Sequence, residues 1–116
     1  MNARYRAHDV IREDRADGSI LLRARAGLGP VAARTTDWLE DWAVKTPDAV
    51  FLAERSGAGW REVTYGQARE QARAIAAGLL DLGLGPDTPI LIVSGNSVDH
   101  GLLALASQYV GVPIVP

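Results

Sequence analysis

An α/β fold in which β-hairpins lead into a parallel β-α-β unit is what this 116-residue sequence predicts. Three observations carry that prediction. Two wholly apolar runs, Ile90 to Val93 and Val112 to Val115, flank a helix-patterned stretch from Val98 to Val110, and so short a pair of strands across so long a connection must run parallel. Asp17-Gly18 and Ser56-Gly57-Ala58-Gly59 each stand between extended runs, as hairpin turns do. Ala68, Ala72, Ile75, Ala76 and Leu79 recur at helical spacing behind Thr64-Tyr65-Gly66-Gln67, which has the spacing of a capping box.

Taken in order, the elements justify themselves locally. His8 to Arg12 and Ser19 to Arg25 form a peripheral hairpin about Arg15-Ala16-Asp17-Gly18, and Gly27 to Arg34 is a linker containing Pro30. Thr36 or Asp37 is placed to cap a helix running to about Lys45, stopped by Thr46-Pro47. Within it Trp38 and Trp42 lie one turn apart, with Leu39 and Ala43 extending the face, a pattern expected to be core. Val50 to Glu54 and Trp60 to Thr64 make the second hairpin. The helix after Thr64 ends at Gly83, suited to a left-handed residue, with Leu84 able to add an apolar contact and Gly85-Pro86 preventing continuation. Ser94 to Ser97 is a tight turn and Gly111 terminates the last helix. Residues 1–34 are expected to be hairpin and linker, and 35–116 an incomplete α/β domain.

Charge and composition exclude several functions. Residues 1–34 carry seven arginines against four acids, whereas 35–116 carry five basic residues against ten acids, with no basic cluster of the kind nucleic acid requires. With no cysteine there is no disulfide, thiolate metal site or cysteine nucleophile. The two histidines, His8 and His100, have no metal-ligand spacing, and no apolar stretch is long enough to span a bilayer. Met1 to Tyr5 starts no secretory signal, so a cytoplasmic location is expected. From Ala74 to Pro116 the only charges are Asp81, Asp87 and Asp99. A segment so poor in charge expects cover on both faces of its sheet, and the apolar run ending at Pro116 suggests a truncated chain that self-associates through its carboxy-terminal strands, the 98–110 helix or an exchanged segment.

Few constellations could carry chemistry. Gly27-Leu28-Gly29-Pro30-Val31-Ala32, with Glu54 on a later strand, has the outline of a dinucleotide fingerprint, but the strand before it looks exposed and the helix signals begin only at Thr36, so a plain linker is the better reading. Ser94 and Ser97 lie between a strand and a helix, where a nucleophile elbow would sit, yet neither has the flanking glycines. Asn96 or Ser97 as a helix cap, with Asp99 in the first turn, explains the same residues. Asn96, Ser97 and His100 remain weak candidates for lining a ligand crevice at the end of a parallel strand. No catalytic residue and no metal ligand is assigned.

Beyond these local signals, Trp38-Leu39-Glu40-Asp41-Trp42-Ala43, Thr46-Pro47-Asp48, Phe51 to Arg55, Trp60 to Tyr65, Ser94 to Ser97, His100 and Gly111-Val112-Pro113 together resemble the amino-terminal part of adenylate-forming (AMP-binding) acyl-CoA synthetases. Trp38 to Arg55 and Ser94 to His100 look most like the feruloyl-CoA synthase branch, the aromatic acid:CoA ligases, and Ala16 to Ser19, Leu22-Arg23 and Leu28-Gly29 fit it as well. The resemblance implies the start of a large AMP-binding domain whose full-length relatives use ATP, Mg²⁺ and CoA through an acyl-adenylate. It also implies a small aromatic carboxylic acid as substrate and the remainder of the parent enzyme as partner. The family's phosphate loop, acid pocket and adenylation lysine have no counterpart in these residues, so the isolated chain is expected to bind no cofactor and to be inactive. The competing reading is a non-catalytic binding or assembly module built from the same layers.

Overall fold

The computed structural model describes residues 9–116, leaving His8 and Met1 to Tyr5 outside the described residues. The chain forms two units, Met1–Val31 and Ala32–Pro116. In the first, β1 (Val10–Asp14) pairs antiparallel with β2 (Ile20–Ala24), in a register running from Val10 opposite Ala24 to Asp14 opposite Ile20. Gly18 makes the turn possible: its φ of +83° is open to glycine at little cost, and its N–H donates to the Arg15 carbonyl at 3.0 Å. Arg23 pairs with Glu13, and Arg25 with Asp9 at 2.8 Å. Arg23 and Arg25 thus make cross-strand pairs, whereas Arg12 pairs with Asp14 on its own strand, and all of these contribute little stability because they are exposed.

The second unit begins with α1 (Thr36–Lys45), β3 (Val50–Ser56) and β4 (Gly59–Thr64), the strands pairing antiparallel. Two expectations for α1 fail. Thr36 lies inside the helix with its hydroxyl buried and without a hydrogen bond among the described residues, while Thr35 takes the cap position without a side-chain cap bond. Asp37 instead accepts the Arg34 N–H at 3.0 Å. The tryptophans are not core: Trp38 is 59% and Trp42 48% exposed, because the helix turns Thr36, Leu39 and Ala43 inward and leaves the indoles on its flank. Both strands of the hairpin run slightly longer than predicted, and the register slips at Phe51, which has no partner between the Val50 and Leu52 pairs.

Next comes α2 (Tyr65–Asp81), which begins and ends as its sequence dictates. Thr64 Oγ1 accepts the Gln67 N–H at 3.3 Å and Gln67 Oε1 accepts the Thr64 N–H at 3.0 Å, a complete capping box. At its other end Gly83 has φ +74°, its N–H reaches the Leu80 carbonyl at 2.8 Å, and the Leu84 N–H reaches the Leu79 carbonyl at 3.1 Å, the two bonds of a Schellman motif. A Cβ at Gly83 would meet nothing within 4 Å, so any penalty there is purely conformational. Gly83→Val is therefore expected to cost on the order of 1 kcal/mol or more, measured as a lower urea midpoint with an unchanged slope.

The β-α-β unit follows: β5 (Ile90–Leu91), α3 (Val98–Val110) and β6 (Ile114–Val115), with β5 and β6 parallel, Ile90 opposite Ile114 and Leu91 opposite Val115. Both strands are shorter than the apolar runs that predicted them. Val112 is buried beneath the helix terminus, its N–H donating to the Ser107 carbonyl at 3.0 Å. The expectation of cover on both faces is not met either: Ile90 packs with Ala76, Leu79 and Ala106, whereas Leu91 and Val93 are 68% and 87% exposed.

Two joined clusters make the core. Leu39, Val63, Ala68, Val98 and Leu102 tie α1, β4, α2 and α3 together, and Ala76, Leu79 and Ala106 close α2 on α3. A polar staple crosses the three helices at the edge of this core, with Glu40 Oε1 accepting from Tyr109 Oη at 2.6 Å and from Arg73 Nε at 2.9 Å. Partial burial and the neighbouring carboxylate push the Tyr109 phenol up to about 12.

Candidate functional site

The start of α3 follows β5 at the carboxyl end of a parallel strand, the position where doubly wound sheets form ligand crevices. All three weak candidates lie here. Ser97 is the helix cap, its Oγ accepting the His100 N–H at 3.1 Å, as one of the two local alternatives required. Asn96 and Ser97, with Leu52, Ala53, Glu54 and Val98, line a shallow crevice of about 170 Å³. His100 is not part of that lining. Its Nδ1 lies 3.1 Å from Ser94 Oγ, a pairing that sequence spacing did not reveal because the turn brings together residues six apart.

Among the described residues the Ser94 and His100 pair has no acid bonded to the imidazole, which a nucleophilic triad requires. Ser94 Oγ lies within hydrogen-bond reach of both His100 Nδ1, at 3.1 Å, and the Gly95 carbonyl, at 3.0 Å, so its single hydrogen has two competing acceptors. Asp99 does not orient the imidazole, because Arg61 holds it, with Nη1 to Oδ2 at 3.0 Å and Nη2 to Oδ1 at 2.7 Å.

Arg61 is the centre of a clamp that the sequence did not disclose. Its Nη1 also donates to Glu54 Oε1 at 2.9 Å, and Glu54 Oε2 accepts the backbone N–H of Val98 at 2.8 Å. Glu54 and Arg61 face one another across the β3–β4 hairpin, so the hairpin register brings these two together. The reach to Val98, 44 residues away, had no signal in the sequence. The consequence is chemical: the orphan N–H and positive dipole end that would attract a phosphate are already engaged by an internal carboxylate. Among the described residues no group of three or more acids or histidines could hold a metal ion, and no lysine or arginine occurs from Ala74 onward. With Glu54 on the Val98 N–H and Arg61 held by Glu54 and Asp99, the residues at this helix start do not fit ATP phosphates with Mg²⁺.

Hydrogen bonds and charge from Arg61 hold the Asp99 carboxyl below its ordinary value of 3.8, while the guanidinium is raised by the same contacts. A carboxyl depressed in the folded state adds stability above its unfolded value, which is lost as pH falls through the folded one. Acid titration is therefore expected to show a small loss of stability below about pH 4, small because the Asp99 side chain is 72% exposed and its pairing is screened by solvent. Asp99→Asn should lose that component at neutral pH and flatten the acid limb, read by thermal melts between pH 3 and 7.

The glycine-rich segment Gly27 to Ala32 is placed as the linker reading required: Leu28 and Val31 are exposed, and helix α1 starts only at Thr36. Glu54, its imagined ribose partner, belongs to the Arg61 clamp.

A second concavity, of about 280 Å³, opens beside α1. Trp38, Trp42, Phe51 and Tyr65 wall it, with Leu39 and Leu105 also in its lining and Thr35 and Gln108 as its polar members. The Phe51 and Tyr65 rings are 4.6 Å apart and those of Trp42 and Tyr65 6.1 Å apart, both tilted.

Residues 39–116 match the family model of the AMP-binding enzyme. The chain is 33% identical over 99 residues to the PKS-NRPS hybrid synthetase psoA of Aspergillus fumigatus, covering 79% of this chain and 2% of that protein. Among solved structures it superposes on IdnL1 with a TM-score of 0.64 at 32% identity, over 76% of this chain and 18% of that one. It superposes on the Legionella pneumophila fatty acyl-adenylate ligase, solved with acyl adenylate and pyrophosphate, with a TM-score of 0.67 over 72% of this chain and 15% of that one. At 24% identity the latter likeness speaks to fold alone. The chain thus spans a small part of each relative, and the α/β fold and the match over two-thirds of its length lead to one assignment: it belongs to the AMP-binding enzyme family.

Proposed function

We propose that this chain is the amino-terminal segment of an ATP-dependent enzyme that activates a carboxylic acid as an acyl-adenylate, working in the cytoplasm. Within that class we propose a feruloyl-CoA synthase type of aromatic acid:CoA ligase. The match of residues 39–116 to the AMP-binding enzyme family carries the first statement. The second rests on the resemblance of Trp38 to Arg55 and Ser94 to His100, since the similar proteins are named as a hybrid synthetase and an acyl-adenylate ligase and not as CoA ligases. The segment's part in that enzyme is architectural: it presents two hairpins, a three-helix layer and the first parallel strand pair, with the Glu54–Arg61–Asp99 clamp setting where α3 starts. ATP, Mg²⁺, CoA and the acid are then engaged by other parts of the parent enzyme.

Two measurements test this reading. The protein translated from the complete reading frame should exchange pyrophosphate into ATP when given ferulate and should form a CoA thioester. Exchange driven by amino acids, with no thioester, would overturn the aromatic acid assignment and leave the adenylate-forming one standing. Lack of exchange with any carboxylic acid would favour the non-catalytic module. The 116-residue chain alone is expected to show no exchange above a buffer blank, because adenylyl transfer needs a preorganised cationic clamp that the helix start does not provide. We also propose that this chain alone self-associates through the open β5–β6 face. A monodisperse monomer in light scattering at low micromolar concentration would reject that.

A further inference from the structure

The cavity beside α1 has no part in the adenylation reading, and its lining is chemically selective. Four aromatic rings converge on about 280 Å³, room for one or two fused rings and too little for a peptide helix. None of its lining residues carries a formal charge at neutral pH. Lys45 engages the Trp42 ring at 5.6 Å and Asp41 at 3.8 Å and does not line the space. A charged occupant would be desolvated there without a partner. One polar pair is available, the Thr35 hydroxyl donating to Gln108 Oε1, which leaves the Gln108 amide hydrogens to meet an acceptor. Trp38 and Trp42 stay about half exposed although Leu39 and Ala43 on the same helix are buried, so each indole keeps surface that an occupant of the cavity can cover.

We propose that the Trp38–Trp42–Phe51–Tyr65 cavity is a binding site for an uncharged, flat aromatic small molecule bearing a hydrogen-bond acceptor.

The test is calorimetric titration of the 116-residue chain with 1-naphthol, with cyclohexanol as an aliphatic comparison and Trp60→Ala as the control variant. Trp60 is exposed and stacks with Arg55 at 4.8 Å, away from the cavity lining. The expected result is saturable one-to-one binding of 1-naphthol, at least tenfold weaker in Trp42→Ala and in Trp38→Ala and unchanged in Trp60→Ala, with cyclohexanol at least tenfold weaker throughout. Should Trp42→Ala lose its far-ultraviolet dichroism, Trp38→Ala decides the matter, since its side chain is mostly outside the core. No saturable binding, equal binding in Trp38→Ala, loss in Trp60→Ala, or equal affinity for cyclohexanol would each overturn the proposal. So would self-association that Trp38→Ala abolishes, because the cavity would then belong to a second copy of the chain.

Discussion

Leu102→Ala is expected to destabilise the chain by about 2–5 kcal/mol, a large part of the total stability of a domain this size. Leu102 is 2% exposed and sits in the cluster that joins Leu39 of α1, Val63 of β4, Ala68 of α2 and Val98 at the start of its own helix. The loss combines the transfer of the removed side chain with the cavity it leaves among Leu39, Val63, Ala68 and Val98. Equilibrium urea unfolding followed by far-ultraviolet dichroism measures the loss. A change below about 1 kcal/mol would show that α3 is held mainly by the polar contacts at its ends.

The second large effect comes from the opposite change. Ala106 is fully buried against Ala76 and Leu79, where α2 and α3 approach through small side chains. Ala106→Leu inserts a branched side chain into that contact and is expected to cost about 1–3 kcal/mol or more, since overpacking forces strained rotamers or separates the helices. Ala104→Leu, on the same helix at a half-buried position, serves as the comparison and should change stability by less. Equal losses from the two variants would mean that the α2–α3 contact is looser than the burial of Ala106 indicates.

The alanine-rich face of α2 on which these effects depend is legible in the chain itself. Thr64 and Gln67 form their reciprocal cap within four residues, Gly83 ends the helix by its own φ, and Ala68, Ala72, Ala76 and Leu79 share one face because 3.6 residues make a turn. Each signal is local and needs no partner. The Val98–Val110 helix with its left-handed Gly111 was legible for the same reason, and the parallel sense of β5 and β6 followed from the length of the helical connection between them. The resemblance to adenylate-forming enzymes was carried by sequence as well, and the family match established it.

Local sequence therefore settled the kind and order of the elements, the turns between them and the family. Three further matters rested on tertiary contacts. Trp38 and Trp42 had the spacing of a core face, yet a ten-residue helix can turn only one stripe inward, and contacts with β4, α2 and α3 chose Leu39 over the indoles. Val93 belonged to an apolar run, but a strand lasts only as long as its neighbour pairs with it, and β6 offers two residues. Glu54 looked like a strand-end acid until the hairpin met the start of α3, where its carboxylate reached the Val98 N–H and took the seat that local logic would have given to an anion. Periodicity and turn chemistry act over a few residues, whereas burial, strand length and helix-end occupancy depend on groups brought together from far along the chain.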